Sequence, residues 1–389
     1  MPRTILHLDL DAFFCAVEEL HDPSLRGKAF AVGGRPEERG VVASCSYAAR
    51  SFGVRSALPT SRALRLCPGL LVISHHRGNY GEMSEKVMQR LHDLSPLVEQ
   101  ISIDEAFVDI SDLHEPPETI ARRLQQRVNA ELGLPCSVGV AANKLVAKIA
   151  TEVGKKTGRK KDEAPNAVTV VPPGTEASFL EALSVAMLWG VGPKTAEKLA
   201  EVGIKTIGDI ASHPETDLIR WFGENGRDLK RRAGGVDESP VTSGHEVKSI
   251  SQETTFASDV RDDRLLAGTL RRLSAEVGRR LRQGGIAGST VRIKLRWPDF
   301  TTLTRQVSLP QPTNQDEEIY HLALDLLGKV RARGKAVRLI GVGVSGLCPP
   351  LRQMELWDAA AEKSRRLQEA LDSVRAKFGE RAIQRGKRK

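Results

Sequence analysis

Three acidic residues stand where acids are costly. Asp104 and Glu105 separate two apolar, strand-like runs, 98–103 and 106–110. Acids are poor strand formers, so the pair needs a reason. In one continuous strand they would point to opposite faces. A sharp turn between the runs would carry both to a hairpin tip. Asp9 closes a third such run, Ile5-Leu6-His7-Leu8-Asp9-Leu10-Asp11. There His7, Asp9 and Asp11 share one face and Leu6, Leu8 and Leu10 the other. If these strands are neighbours, the acids converge. Two carboxylates about 4 Å apart repel by roughly 4 kcal/mol at an effective dielectric near 20, so convergence calls for cations. Mg²⁺ prefers such an all-oxygen site. Taken alone, Asp104-Glu105 also reads as a polar turn, and Asp11 as the N-cap of the helix that follows.

Other groups suit phosphate. Tyr47 and Arg50 are three apart in a helix-like stretch and share a face, where a phenol and a guanidinium can hold a phosphate. A surface arginine beside a half-buried tyrosine is the plain alternative. The run from Lys155 to Lys161 reads as a basic loop, open to phosphate or merely solvated. Leu188-Trp189-Gly190-Val191-Gly192-Pro193-Lys194 reads as a helix-hairpin-helix, with a plain turn as the alternative. Its glycines let backbone N–H groups approach a DNA phosphate at the start of the next helix. The glycine spacing is not that of a dinucleotide-binding fingerprint. In 290–297 the residues alternate strictly: Val291, Ile293, Leu295 and Trp297 face a core. Arg292, Lys294 and Arg296 form a cationic row on the open face, which suggests a second nucleic-acid surface. Solubility alone would be served better by mixed signs.

The elements that must position these groups follow from the pattern. The 389 residues exceed one ordinary core, so several domains are expected. A net charge of +9 points to a polyanionic partner. No apolar run approaches 18 residues and no signal-peptide start is present, so a cytoplasmic chain without membrane insertion is expected. The five cysteines are scattered without CxxC or Cys/His clusters, which argues against zinc and disulfides. Aromatic content of 4% leaves little for base stacking. The order is strand 4–11, helix, short strands 30–34 and 40–44, helices 59–66 and 79–94, the acidic hairpin, helix 118–132, strand 136–141 and helix 143–153. Its core is βαββαβ, a ferredoxin-like order. Short helices fill 166–235 and a linker 236–247. A second βαββαβ follows: strand 247–256, helix 262–283, strands 289–297 and 301–309, helix 315–332 and strand 336–345. Between Gly244 and Leu347 there are 17 Lys/Arg against 11 Asp/Glu, which strengthens the basic reading. The tail carries Gln353-Met354-Glu355-Leu356-Trp357, then an amphipathic stretch with Leu367, Leu371, Val374 and Phe378. Gln353 to Trp357 reads either as a docking peptide or as the start of that helix.

Three motifs together resemble those of the Y-family DNA polymerases, most nearly the bacterial DinB-type branch. They are Leu8-Asp9-Leu10-Asp11-Ala12-Phe13-Phe14, Ser46-Tyr47-Ala48-Ala49-Arg50-Ser51-Phe52-Gly53-Val54 and Ser102-Ile103-Asp104-Glu105-Ala106. The likeness runs from about residue 4 to 347. It implies an α+β, right-hand-like polymerase. The palm would be 1–17 and 77–165, the fingers 18–76, the helical thumb 166–235, the little finger 248–347 and the tail 348–389. Asp9, Asp104 and Glu105 would bind two Mg²⁺ ions, with the Leu10 carbonyl as a further ligand. Phe13 and Phe14 would line the nucleotide site, Phe14 as steric gate under the sugar. Tyr47, Arg50 and Lys155 would contact the triphosphate. The family's usual Lys-Pro is here Lys155-Lys156, which leaves two candidates for that contact. Val32, Val41 and Ala43 would roof the nascent base pair. Gly190, Gly192, Lys194, Arg292, Lys294 and Arg296 would contact DNA. Gln353, Leu356 and Trp357 resemble a sliding-clamp (beta subunit) peptide.

The implied activity is template-directed addition of dNTPs to a primer 3′ end. Phosphoryl transfer would use two metals roughly 3.5–4 Å apart. With no room for a proofreading exonuclease, low-fidelity translesion synthesis in DNA repair by a monomer is expected. Two rivals are a non-catalytic DNA-binding relative, which would be expected to lack the acids, and a nucleotide cyclase with a palm-like fold. The helix-hairpin-helix and the basic second sheet argue against the cyclase.

Overall fold

The computed structural model describes residues 3–75, 77–158, 162–244, 246–331, 334–350, 359–379 and 382. The chain divides into two compact units, Met1–His245 and Glu246–Lys389. The first begins β1 (Ile5–Leu10), α1 (Phe13–His21), β2 (Phe30–Gly33), β3 (Val42–Cys45), α2 (Tyr47–Ser51), α3 (Thr60–Leu66) and β4 (Leu71–Ile73). It continues α4 (Arg77–His92), β5 (Val98–Gln100), β6 (Glu105–Asp109), α5 (Pro117–Leu132), β7 (Cys136–Ala141), α6 (Lys144–Thr157) and β8 (Val168–Val170). Helices α7 (Glu176–Glu181), α8 (Pro193–Glu201), α9 (Ile207–Ser212), α10 (Glu215–Phe222) and α11 (Glu224–Ala233) complete it.

Its main sheet has the order β5-β6-β1-β7-β8, with β1 antiparallel to both neighbours. All six residues of β1 are buried, as a strand covered on both faces must be. Leu6, Leu8 and Leu10 pack with Val17 of α1, Val87 and Leu91 of α4, and Leu124 and Val128 of α5. On the other face Ile5 and Phe107 join Leu145, Val146 and Ile149 of α6, together with Leu188 and Val191. Helix α6 approaches β7 closely because Gly139 has no side chain. A Cβ there would stand 2.1 Å from the Ala147 carbonyl oxygen. Strands β2, β3 and β4 make a separate small sheet in the order β3-β2-β4.

Four local readings change. Helix α6 continues through Lys155 to Thr157 instead of ending near 153. Gly154 lets it pass close to Thr169 of β8, where a Cβ would meet Oγ1 at 2.3 Å. Strand β8 pairs parallel with β7, in a stretch read as short helices. Three residues are too few to show a period. Strand β5 stops at Gln100 because Ile101 and Ser102 both donate backbone N–H groups to the Glu105 carbonyl, closing a tight turn. Asp11 does not cap α1: the cap position is Ala12, in the left-handed region at φ 49°, without a side-chain bond. The Asp11 carboxylate instead accepts from Ser137 Oγ at 2.9 Å and from the Asn166 N–H at 2.9 Å.

The second unit contains β9 (Ser249–Val260), α12 (Asp263–Gln283), β10 (Ala287–Arg296), β11 (Thr302–Thr313), α13 (Asp316–Val330), β12 (Val337–Cys348) and α14 (Ala359–Phe378). Its sheet order is β11-β10-β12-β9. Val291, Ile293, Leu295 and Trp297 are buried with Leu266, Leu270 and Leu273 of α12 and Ile319, Ala323 and Leu327 of α13. Helix α14 does not use its apolar stripe as expected. Leu367 and Phe378 are exposed, while Gln368 is buried against Asp316 and Asp372 pairs with Arg282 at 2.7 Å. Among the described residues no helix is long and apolar enough to cross a membrane. All five cysteines are free thiols.

Candidate active site

The register of β1 and β6 sets Asp9 directly opposite Glu105, so both side chains share a face. Asp104 lies in the turn just before, where its carbonyl accepts from the Leu10 N–H at 3.0 Å and its carboxylate from Ser102 Oγ at 2.6 Å. The strands are neighbours, yet the carboxylates do not form a ready ligand set. Among the described residues, no three His, Cys, Asp or Glu side chains are placed to hold one metal ion. Two lysines of α6 hold two of these acids instead. Lys155 Nζ is 2.5 Å from Asp9 Oδ1, and Lys148 Nζ is 2.5 Å from Glu105 Oε2. Asp11 lies 3.9 Å from Lys155.

The electrostatics follow from burial and these cations. Burial pushes the Asp9 carboxyl up to about 7, although Lys155 pulls the other way and Glu105 and Asp104 add to the rise. Burial also opposes charge on Glu105, but the Lys148 ammonium outweighs it and holds that carboxyl well below the ordinary range. Burial lowers His7 to about 4, so its ring is neutral near pH 7. His7 Nδ1 meets Thr151 Oγ1 at 2.9 Å, while Nε2 has no hydrogen-bond partner and faces Glu105 Oε2 at 3.9 Å.

A pocket of about 270 Å³ gathers Asp9, Leu10, Phe13, Phe14, Ala43, Arg50, Asp104, Glu152 and Lys155. Phe14 forms a wall by stacking on Tyr80, with centroids 4.4 Å apart and planes at 26°. Phe13 is buried behind it. Ser46 caps α2 by accepting from the Ala49 N–H, which fixes the helix that carries Tyr47 and Arg50. The Arg50 guanidinium lies 4.6 Å over the Tyr47 ring. Tyr47 is buried, so the plain reading of a half-buried tyrosine gives way to a packed pair. Of the three expected roof residues, Ala43 lines the pocket. Val32 is wholly buried and Val41 is exposed, and neither is among the residues that line this pocket.

Residues 8–152 match the impB/mucB/samB family and residues 247–356 match that family's C-terminal domain. A DNA polymerase IV of Dehalococcoides mccartyi (strain ATCC BAA-2100 / JCM 16839 / KCTC 5957 / BAV1) is 41% identical over 389 residues, 99% of this chain and 97% of that protein. The chain belongs to the Y family of DNA polymerases, in its DNA polymerase IV branch. It is a DNA-directed DNA polymerase. A solved Y-family chimera of Dbh and Dpo4 has a TM-score of 0.77 at 25% identity, covering 88% of this chain and 98% of its own. An insertion ternary complex of Dbh DNA polymerase has a TM-score of 0.62 at 25% identity, with the same coverage. The mixed α and β fold is therefore that of the Y-family polymerases.

Other residues of this Y-family polymerase fall elsewhere. Lys156 points away from the pocket to Met187 Sδ, which leaves Lys155 as the lysine beside the acids. Gly190 takes φ +95°, open to glycine, and Gly192 caps α8 without any side-chain bond. Gly192, Pro193 and Lys194 at the start of α8 are all exposed. In the second unit the cationic row exists, and among the described residues only Lys294 of the three has a carboxylate partner. Lys294 pairs with Glu253 at 2.8 Å, Arg292 donates to Gln306 and Arg296 to Thr302. Gly343 and Gly341 of β12 lie opposite Arg292 and Lys294, so β12 itself sets no side chain against them. Gln353, Leu356 and Trp357 lie outside the described residues. Lys148 and His7 are what sequence reasoning misses. Lys148 could have been found from its spacing of seven from Lys155, two turns along one helix, had α6 been carried past 153.

Proposed function

We propose that this polymerase extends a primer 3′ end opposite a DNA template, with the pocket at the end of β1 as its reaction centre. The observation that carries the reading is the single pocket uniting Asp9, Leu10, Asp104, Phe14, Arg50 and Lys155. The all-oxygen donors Asp9, Asp104 and Glu105, with the Leu10 carbonyl, fit Mg²⁺. The lysines already held against two of the acids mark the demand for positive charge there. When bound, two such ions would supply charge neutralisation on phosphate oxygens and activation of the primer hydroxyl.

The chain's own residues would do the rest. Arg50, packed on Tyr47, offers the triphosphate a fixed guanidinium. Lys155 adds a second cation once released from Asp9. Phe14, braced by Tyr80, stands where a ribose 2′-hydroxyl would clash. Attack of the primer hydroxyl on the α-phosphate then expels pyrophosphate. In the family's terms, the β5-β6-β1-β7-β8 sheet is the palm, 18–76 the fingers, 166–235 the thumb and 248–347 the little finger. The hairpin with its exposed Gly190 and Gly192 and the basic face of β10 would follow the DNA backbone without reading sequence. Translesion synthesis at low fidelity, without proofreading, by a cytoplasmic monomer tied to the sliding clamp through 353–357 completes the reading. The test is Mg²⁺-dependent primer extension by wild type and Asp104→Ala. Extension should fall by several orders of magnitude in the variant; equal extension by both would refute the assignment.

A further inference from the structure

Lys148 belongs to none of the motifs and does not line the pocket, yet it makes one of the shortest charge contacts at the site. Its ammonium lies 2.5 Å from Glu105 Oε2 with only 15% of the side chain exposed. Behind it, 5.8 Å away, is the ring of Trp189. Trp189 also meets Phe107, two residues along β6 from Glu105, with centroids 5.8 Å apart. The next residue is Gly190, where the hairpin turns at positive φ. One side chain therefore touches both a metal-binding acid and the root of the DNA-binding hairpin.

We propose that Lys148 is a tethered counter-ion: it holds Glu105 in the metal-free protein, gives up that carboxylate when a divalent ion binds, and passes the change through Trp189 to the Gly190–Gly192 hairpin. The inference rests on the metal-binding reading above. Acids gathered on one sheet edge repel, and α6 relieves this with Lys155 at Asp9 and Lys148 at Glu105. A metal ion that takes Glu105 Oε2 competes with the ammonium for it. Lys155 has a destination once displaced, namely the triphosphate. For Lys148 the adjoining destination is the face of Trp189, which attracts a cation through its ring electrons. A displaced ammonium would therefore tighten its existing contact with the residue that starts the hairpin. As a positioning residue, Lys148 keeps Glu105 in place before substrate arrives and links its release to the thumb.

The experiment uses the full chain without DNA. Mn²⁺ binding is followed by electron paramagnetic resonance in wild type, Lys148→Met, Lys148→Gln, Lys148→Arg and Asp104→Ala. With the competing cation gone, Lys148→Met and Lys148→Gln should bind Mn²⁺ about tenfold more tightly, while Lys148→Arg stays near wild type. A merely structural lysine would leave affinity unchanged or weaken it, and either result in these variants overturns the proposal. Loss of binding in Asp104→Ala with normal binding in wild type keeps the metal reading separate. Absence of Mn²⁺ binding in wild type would sink that reading and this one with it. The second readout is Trp189 emission, taken as the difference between wild type and Trp189→Phe. Ca²⁺ should shift it in the wild-type background, and the shift should vanish when Lys148→Met is introduced. No shift in wild type, or the same shift in both backgrounds, overturns the link to the hairpin.

Discussion

Replacing His7 tests how the centre of the five-stranded sheet is built. The ring is fully buried in β1, and burial lowers its pKa from 6.5 to about 4. The unfolded chain therefore binds a proton between pH 6.5 and 4 that the folded chain refuses. Stability from this group is complete above pH 6.5 and is lost as pH falls toward 4. The full shift of about 2.5 units corresponds to roughly 3 kcal/mol, of which about 2 kcal/mol is already lost at pH 5. Asp9 acts with the opposite sign. Its carboxyl is raised to about 7, so its contribution favours the folded state at low pH and is lost as pH rises through about 7. A comparison of two proteins cancels that common term. Equilibrium urea unfolding of wild type and His7→Gln, in EDTA, is measured at pH 7.5 and pH 5. Gln keeps an amide for Thr151 but does not titrate. Wild type should lose about 2 kcal/mol more than His7→Gln on acidification. Equal losses would mean that His7 is hydrated or charged in the fold, and the account of the site's interior would fail.

Phe14→Ala removes the ring braced on Tyr80 and should admit rNTPs, lowering the dNTP-over-rNTP preference at least about tenfold in single-nucleotide incorporation. An unchanged preference would sink the steric-gate assignment. Lys155→Ala should raise the KM for dNTP, whereas Lys156→Ala, whose ammonium points to Met187, should leave it within about twofold. The reverse pattern would exchange their roles.

Much of the architecture is legible because its signals are local. In β10, strict alternation puts Val291, Ile293 and Leu295 in a core, and the structure buries all three. The run Cys136 to Ala141 reads as a strand, and those are the limits of β7. The misses share a cause: they depend on contacts between distant segments. Strand β8 is three residues long and exists because β7 offers it an edge. Lys155 reads as loop because it opens a cationic run, but Gly154 and Thr169 fit together and carry the helix past it. Asp11 has the position and chemistry of an N-cap. Ser137 and Asn166, more than a hundred residues away, take its carboxylate first.

The same reasoning explains why the acids could be singled out while their partners could not. Asp104 and Glu105 are conspicuous because they offend strand propensity, and Asp9 because it closes an apolar run. Lysines offend nothing in an amphipathic helix, so Lys148 and Lys155 look like ordinary solvated charge. Their role appears only when Gly139 brings α6 down onto β7, beside β1 and β6. At that distance the charge pattern of one helix becomes the counter-charge of a sheet edge two strands wide. The cluster of acids is thus tolerable without metal because of α6. On the proposed reading, an ion that takes Asp9 Oδ1 or Glu105 Oε2 would compete with Lys155 or Lys148, so metal affinity would depend on the helix as well as on the carboxylates.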